Sequence, residues 1–497
     1  MTIMLKKFKY TFMACAASAM LLQACSSKDV IELEPQFSLD AVNNPSSISQ
    51  VEQVLLGAYS NFRNGNYYGS NSGTGSGWAL MPDVLSDNLY ETIESLANSR
   101  TMVEWNYNPG TGQVASMYQA PYLVISSANI VLRDVDKFSQ NVQQVNRIKG
   151  QAYAIRALAH FDLFRYFANS YDRNSTTDLA VPYTKEFVVS TAAKPARLNN
   201  KEFYDALFAD LTQAVTLLAD VDKPVNDAGA LSRPYIDLTA AYAIQARAYL
   251  YASQWPEAIA AATAAINRRP LVNLNQAAFT GMYNQTNSGE IIWNVQFEAN
   301  QSGPTYLTYF PAQQRAYFRP ALEVATISGT SGLLRSEDIR YNAFFSNVGG
   351  ELALTKYRGK GSNTDGAANF IAFRTGEMYL IRAEARAKSG QGALALEDLN
   401  TLRAARIPSY VPVAGLSGDA LLTAIADERR RELIGEGHRF FDLKRTTRVI
   451  TRGSTCGNTN LSPVGVCTLP STAREWTLPI PEGVINANES QVQNPGY

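Results

Sequence analysis

Two stretches of this 497-residue chain set small residues at matching places 137 positions apart: Ala246, Ala248 and Ala258 in the first, Ala383, Ala385 and Ala395 in the second. Each stretch reads as a helix, a short turn and a second helix, with turns at Ser253-Gln254-Trp255 and Ser389-Gly390-Gln391. Small side chains at such positions let two antiparallel helices approach closely, which is the physical content of a tetratricopeptide-like unit. Apolar residues spaced by three and four predict further helices. Ser46-Ser47 can cap one bearing Val51, Val54, Leu55, Ala58, Tyr59 and Phe62. Others are expected at 144–168, 201–219, 236–253, 255–268, 373–389, 392–406 and 419–434. The expected fold is therefore mainly α, built as a scaffold of helix pairs. With 46% hydrophobic and 18% charged residues, the chain can bury the core such a scaffold needs.

Two long segments, 64–108 and 299–366, break the helical pattern and are rich in Gly, Asn, Ser and aromatic residues. Loops of this length inside a compact chain usually carry function. They hold 15 of the chain's 52 aromatic residues, which number 26 Tyr, 21 Phe and 5 Trp. A sugar ring offers a flat C–H face and a rim of hydroxyls, so a receptor stacks aromatic rings on the face and aims polar groups at the rim. Trp78, Trp105 and Tyr309 are the leading candidates for such contacts. Tyr67, Tyr68, Asp83 and Asn88 in the first loop join them, with Tyr306, Arg315 and Tyr317 in the second.

The N-terminus reads as an export signal. Lys6, Lys7 and Lys9 precede an uncharged apolar run, Tyr10 to Ala24, which is too short to span a bilayer as a helix. Leu22-Gln23-Ala24-Cys25 is similar to a bacterial lipobox, in which the cysteine takes lipid. An ordinary signal peptide with a chance cysteine is the alternative. The organisation expected is a signal at 1–24, an anchor and tether at 25–45, and a single domain at 46–497. The whole chain balances 44 Lys and Arg against 44 Asp and Glu. Removing the three signal lysines leaves 41 against 44, a slightly acidic mature chain. Cys456 and Cys467, in an exported protein, read as a disulfide closing a surface loop, with two free thiols as the alternative.

That charge balance lacks the basic surplus with which nucleic-acid binders meet phosphates. Catalytic constellations are missing as well: no Gly-x-Ser-x-Gly elbow, no His-Glu-x-x-His and no phosphate loop occurs. His160 and His438 are the sole histidines, which leaves little material for a triad or a zinc site, and no metal or cofactor is expected. The acidic pairs Asp83 with Asp87 and Glu91 with Glu94 read as solvated faces before they read as glycosidase carboxylates.

Five motifs, in order along the chain, resemble the SusD/RagB family of nutrient-binding outer-membrane lipoproteins. They are Arg156-Ala157 through Phe167, Glu290-Ile291-Ile292-Trp293, Arg374 through Ala385, the run Glu428 to Arg445, and the ending Leu478 to Pro481 with Gln493 to Tyr497. The last two form a C-terminal signature over 428–497. The resemblance implies about four tetratricopeptide-like helix pairs with a loop-rich ligand region, and in glycan-binding relatives the contacts come from the two loop regions named above. It further implies a surface-exposed lipoprotein of the outer membrane that captures oligosaccharide for a SusC-like TonB-dependent transporter, not an enzyme. An oligopeptide ligand is the alternative within the family, and a glycoside hydrolase a more distant one. Within the signature, Arg429, Arg430, Arg431, Glu432, Arg439 and Asp442 suit ion pairs pinning the last helix to the loops.

Overall fold

A computed structural model describes residues 45–497 apart from 72–74, 77, 189, 191, 274, 299–300, 302, 304–307, 309–314 and 326–336. The signal segment, Cys25, Tyr306 and Tyr309 lie outside the described residues. The principal helices are α1 (Ile48–Asn61), α2 (Gly112–Asp134), α3 (Val142–Phe167), α4 (Asn200–Leu218), α5 (Leu238–Tyr251), α6 (Trp255–Arg268), α7 (Thr375–Lys388), α8 (Gly392–Ala404), α9 (Gly418–Leu433) and α10 (Arg439–Arg445). Helices dominate, as the periodicity predicts. The 23-residue α2 is an addition that periodicity did not reveal, because Pro121 interrupts its pattern. Asn199 starts α4 with a reciprocal capping box to Glu202, and Asp237 caps α5 through the Ala240 amide.

Consecutive helices pack in pairs: α2 on α3, α3 on α4, α5 on α6, and α7 on α8. All six alanines of the repeated pattern are fully buried. The repeat extends to the turns. Gln254 N donates to Tyr249 O at 3.0 Å, and Gln391 N donates to Arg386 O at 2.8 Å. Both turns place the residue before that glutamine in the left-handed region, Ser253 at φ 55° and Gly390 at φ 80°. Glycine takes this conformation freely, whereas serine tolerates it at some cost. Helix α6 then packs on α7, so the two units join although more than a hundred residues separate them in sequence.

Short antiparallel strand pairs tie the connections together. They are β1 (Ser70–Asn71) with β2 (Gly75–Ser76), β3 (Leu89–Glu91) with β5 (Phe318–Pro320), β4 (Ile291–Val295) with β8 (Phe370–Arg374), β6 (Phe345–Val348) with β7 (Glu351–Leu354), and β9 (Ile450–Thr451) with β10 (Thr468–Leu469). By contact the chain divides into Met1–Val51 and one compact unit, Glu52–Tyr497. Cys456 and Cys467 are joined in a disulfide, with Cα atoms 5.6 Å apart. Among the described residues no helix is long and apolar enough to cross a membrane.

The C-terminal signature holds the interior by charge. Glu432 of α9 meets three guanidinium groups: Arg340 and Arg406, each at 2.8 Å, and Arg374. Arg340 also binds Glu428 and Asp338, both at 2.6 Å, while Arg406 reaches Glu290 at 2.6 Å. Burial alone would raise the Glu428 carboxyl, but the charges of Arg340, Arg431 and Arg403 outweigh it and hold the group at about 2. Gly376 leaves the room this cluster needs, since a Cβ there would collide with the Glu432 carboxylate.

Candidate functional site

Although 64–108 and 299–366 are far apart in sequence, the fold brings them into one assembly. Strand β3 pairs with β5, matching Leu89 with Pro320, Tyr90 with Arg319 and Glu91 with Phe318. Thr92 extends the seam: its amide donates to Tyr317 O at 2.9 Å and its hydroxyl donates to Ala316 O at 2.8 Å. Nearer the loop roots, the Ser70 hydroxyl donates to Gly303 O.

Most of the aromatic candidates face inward. Trp78 is 2% exposed, its ring 4.3 Å from Tyr166 and 5.8 Å from Tyr67. Trp105 is 4% exposed; its Nε1 donates to Leu85 O at 3.0 Å and Arg452 lies over its face. Tyr67 and Tyr68 donate their hydroxyls to one oxygen of buried Asp162, at 2.6 and 2.8 Å. Burial, reinforced by that carboxylate, pushes both phenols well above their usual range. Tyr317 is buried as well, while Arg315 is exposed. The expectation that Trp78, Trp105, Tyr67, Tyr68 and Tyr317 present rings to a ligand is therefore corrected. A loop of this length needs its own core, and the aromatic residues supply it by packing onto α3 and α10.

Asp83 and Asn88 are likewise corrected from ligand contacts to positioning groups. Asn88 Nδ2 donates to Asp83 Oδ1 at 2.7 Å, and Arg430 Nε donates to Asn88 Oδ1 at 2.7 Å. Burial pushes the Asp83 carboxyl up to about 6, against the opposing pull of its hydrogen bonds. Asp87 takes a forked pair of bonds from Arg439 at 2.7 and 2.8 Å. Its burial is outweighed by Arg439 and Arg430, so its carboxyl falls to about 2. The signature arginines thus grip the first loop, in line with the ion-pair expectation, and Arg429 pairs with Asp442 at 2.8 Å. Glu91 is buried against Arg100 and Ser95, so it is no solvated face.

Neither histidine is free to act as a base. His160 accepts from Thr184 N at 3.0 Å and stacks on Tyr183, and burial drives its imidazole down to about 3. His438 is buried against Arg429, and burial with the surrounding arginines holds it well below its usual range. Among the described residues no group of His, Cys, Asp and Glu could hold a metal.

A cleft of about 230 Å³ lies where both loops leave the scaffold. Arg63 lines it at the root of the first loop, and Gln296 and Glu298 at the root of the second. Tyr59 and Tyr235 form an edge-to-face pair there, centroids 5.3 Å apart. The Tyr59 hydroxyl is already engaged, donating to Gln151 Oε1 at 2.6 Å and accepting from Ile236 N at 2.9 Å. Half-buried Tyr235 thus offers its ring beside a guanidinium, an amide and a carboxylate. The sequence places Tyr59 on a helix face and nothing local marks Tyr235, since the three contributing segments meet only in the fold.

Two family models match the chain: one described as the SusD family over residues 351–497, the other as "Starch-binding associating with outer membrane" over residues 40–250. Together they take in the C-terminal signature, the first loop and the helices from α1 to α5. The chain belongs to the SusD family. SusD-like protein P38 of Formosa agariphila is 23% identical over 508 residues, covering 90% of this chain and 93% of that one. A SusD superfamily protein of Bacteroides vulgatus shares the SusD fold with a TM-score of 0.76 at 24% identity, over 91% of this chain and 99% of its own. A surface glycan-binding protein A of Bacteroides fluxus superposes with a TM-score of 0.70 at 21% identity, over 91% and 100%. At such identities these likenesses establish the SusD fold, and the ligand must be argued from side chains.

Proposed function

We propose that this SusD-family protein is a non-catalytic glycan receptor, which captures oligosaccharide at the joined loops and passes it to a SusC-like TonB-dependent transporter. The observation that carries the reading is the union of the two loops through β3 and β5 beside a cleft that combines an aromatic ring with Arg63, Gln296 and Glu298. That set suits one sugar face and its hydroxyl rim. The family description of starch binding and outer-membrane association supports the same ligand class and place. Tyr306, Tyr309 and Arg315 remain the second loop's proposed contributions.

The test is titration of the chain with neutral oligosaccharides, alongside oligopeptides and a reducing-sugar assay. Tyr235→Ala, Tyr309→Ala and Arg315→Ala are each expected to weaken oligosaccharide binding about tenfold, a loss of roughly 1.4 kcal/mol. Unchanged affinity in all three variants would remove the site. Binding of peptides alone would move the protein to the oligopeptide alternative, and sugar release would refute the non-catalytic reading. Lipid attachment at Cys25 predicts that Cys25→Ala shifts the protein from the membrane fraction to the soluble fraction; retention in the membrane would refute the anchor.

A further inference from the structure

A larger cleft, of about 940 Å³, opens on a different set of elements: the segment after α3, the start of α4, the turn between α5 and α6, the end of α7, and α10. Its size matches small-molecule sites. Six cations line it, Arg173, Lys201, Lys388, Lys444, Arg445 and Arg448, against two acids, Asp172 and Glu384. Some of this charge is answered locally. Arg173 and Lys201 share Asp205, and Arg445 pairs with Glu384 and Asp442. Of the remaining three, Lys444 is buried, and that burial together with the charge of Arg448 holds its amine well below the usual lysine range, whereas Lys388 and Arg448 stand without an acidic partner among the described residues. Lys444 Nζ donates to the carbonyls of Ala168 and Arg165 at 2.8 and 3.2 Å, and Arg448 Nε donates to Ser471 O at 3.1 Å. Lys388 is exposed at the end of α7.

Two further groups lack partners. Tyr251 is 3% exposed and lines the cleft, yet its hydroxyl makes no hydrogen bond among the described residues. The Gln254 side-chain oxygen, in the adjoining turn, is buried and equally unpartnered. Buried polar atoms are usually satisfied, so these two groups in the wall of one cleft are available to bond with a molecule that enters it. The half-buried Trp255 ring stands beside them.

We propose that this cleft is a second ligand site, one that takes a saccharide bearing carboxylate or sulfate groups. The anion meets Lys388 and Arg448, the sugar hydroxyls meet Tyr251 and Gln254, and Trp255 offers a ring face. That the ligand is a saccharide rests on the function proposed above; that it is anionic rests on this cleft alone. The slight acidity of the mature chain does not oppose it, because screening confines each field to its own surroundings.

The full chain is titrated with a galacturonate trisaccharide, a sulfated galactose trisaccharide and the neutral galactose trisaccharide, with hexaglutamate as a peptide anion. Binding of one or both acidic sugars, weakened by salt, is the expected result, and the stronger of the two identifies the anion. Lys388→Glu is expected to weaken that binding at least about tenfold. Tyr251→Phe, which removes a single oxygen and leaves the fold intact, is expected to weaken it several-fold. Lack of binding by both acidic sugars, indifference to Lys388→Glu, or equal binding of hexaglutamate overturns the proposal. The loop site is read separately, because Tyr235→Ala acts on neutral sugar. Neutral binding that responds to Tyr235→Ala without any acidic-sugar binding therefore overturns this inference and leaves the first reading standing.

Discussion

Replacing Glu432 by Gln is expected to destabilise the protein by about 3–5 kcal/mol, the usual cost of removing one partner from a buried ion pair. The carboxylate sits between Arg340, Arg374 and Arg406, and all four side chains are fully buried. Burial favours the neutral acid, yet the three positive charges dominate and hold its carboxyl well below the ordinary range. The isosteric amide keeps the volume and loses the charge, so three guanidinium groups lose their common counter-ion. Urea unfolding followed by circular dichroism measures the loss. A solvent-facing control, Lys149→Ala, breaks the pair with Asp136 and is expected to cost under about 1 kcal/mol. If Glu432→Gln cost no more than that control, the cluster would not be what joins α9 to the strands and loops around it.

Trp78→Ala carries the second large effect, and it separates packing from recognition. The indole lies between Tyr166, Tyr67 and Phe441, at ring distances of 4.3, 5.8 and 6.4 Å. Truncating a buried aromatic residue of this kind costs about 3–5 kcal/mol, because a cavity remains where the ring was. Thermal unfolding is expected to shift accordingly, while the folded fraction at low temperature keeps its affinity for oligosaccharide. A variant as stable as the parent but unable to bind sugar would place the indole in the ligand site and overturn its assignment to the core.

Trp78 also marks the limit of what could be read from residues alone. Helix periodicity located α3 to α9 to within about two residues at most ends, because a buried stripe repeats locally. Helix α2 escaped because Pro121 breaks its pattern. The position of the two loops was legible in their composition, and so was the disulfide between Cys456 and Cys467. The direction of each aromatic ring was not, since Trp and Tyr serve equally to pack a loop and to hold a sugar. Nor could any local pattern show that Arg340, Arg374 and Arg406 converge on Glu432, or that Tyr235 and Arg63 line one cleft, because those groups are brought together only by tertiary structure.

The pairing of β4 with β8 has a consequence for how such a chain can diversify. It brings residue 295 beside residue 370, so everything between them is an excursion that leaves and returns through one gate. The entropy of closing that excursion is met once, at the gate, and doubling its length adds only about 0.6 kcal/mol. Insertions and replacements between 296 and 369 that spare β5 and the Asp338–Arg340 anchor can therefore remodel the second loop while the α6 and α7 seam stays in register. Binding preference can drift in this segment at small thermodynamic expense, whereas the charged cluster beneath it tolerates almost no change.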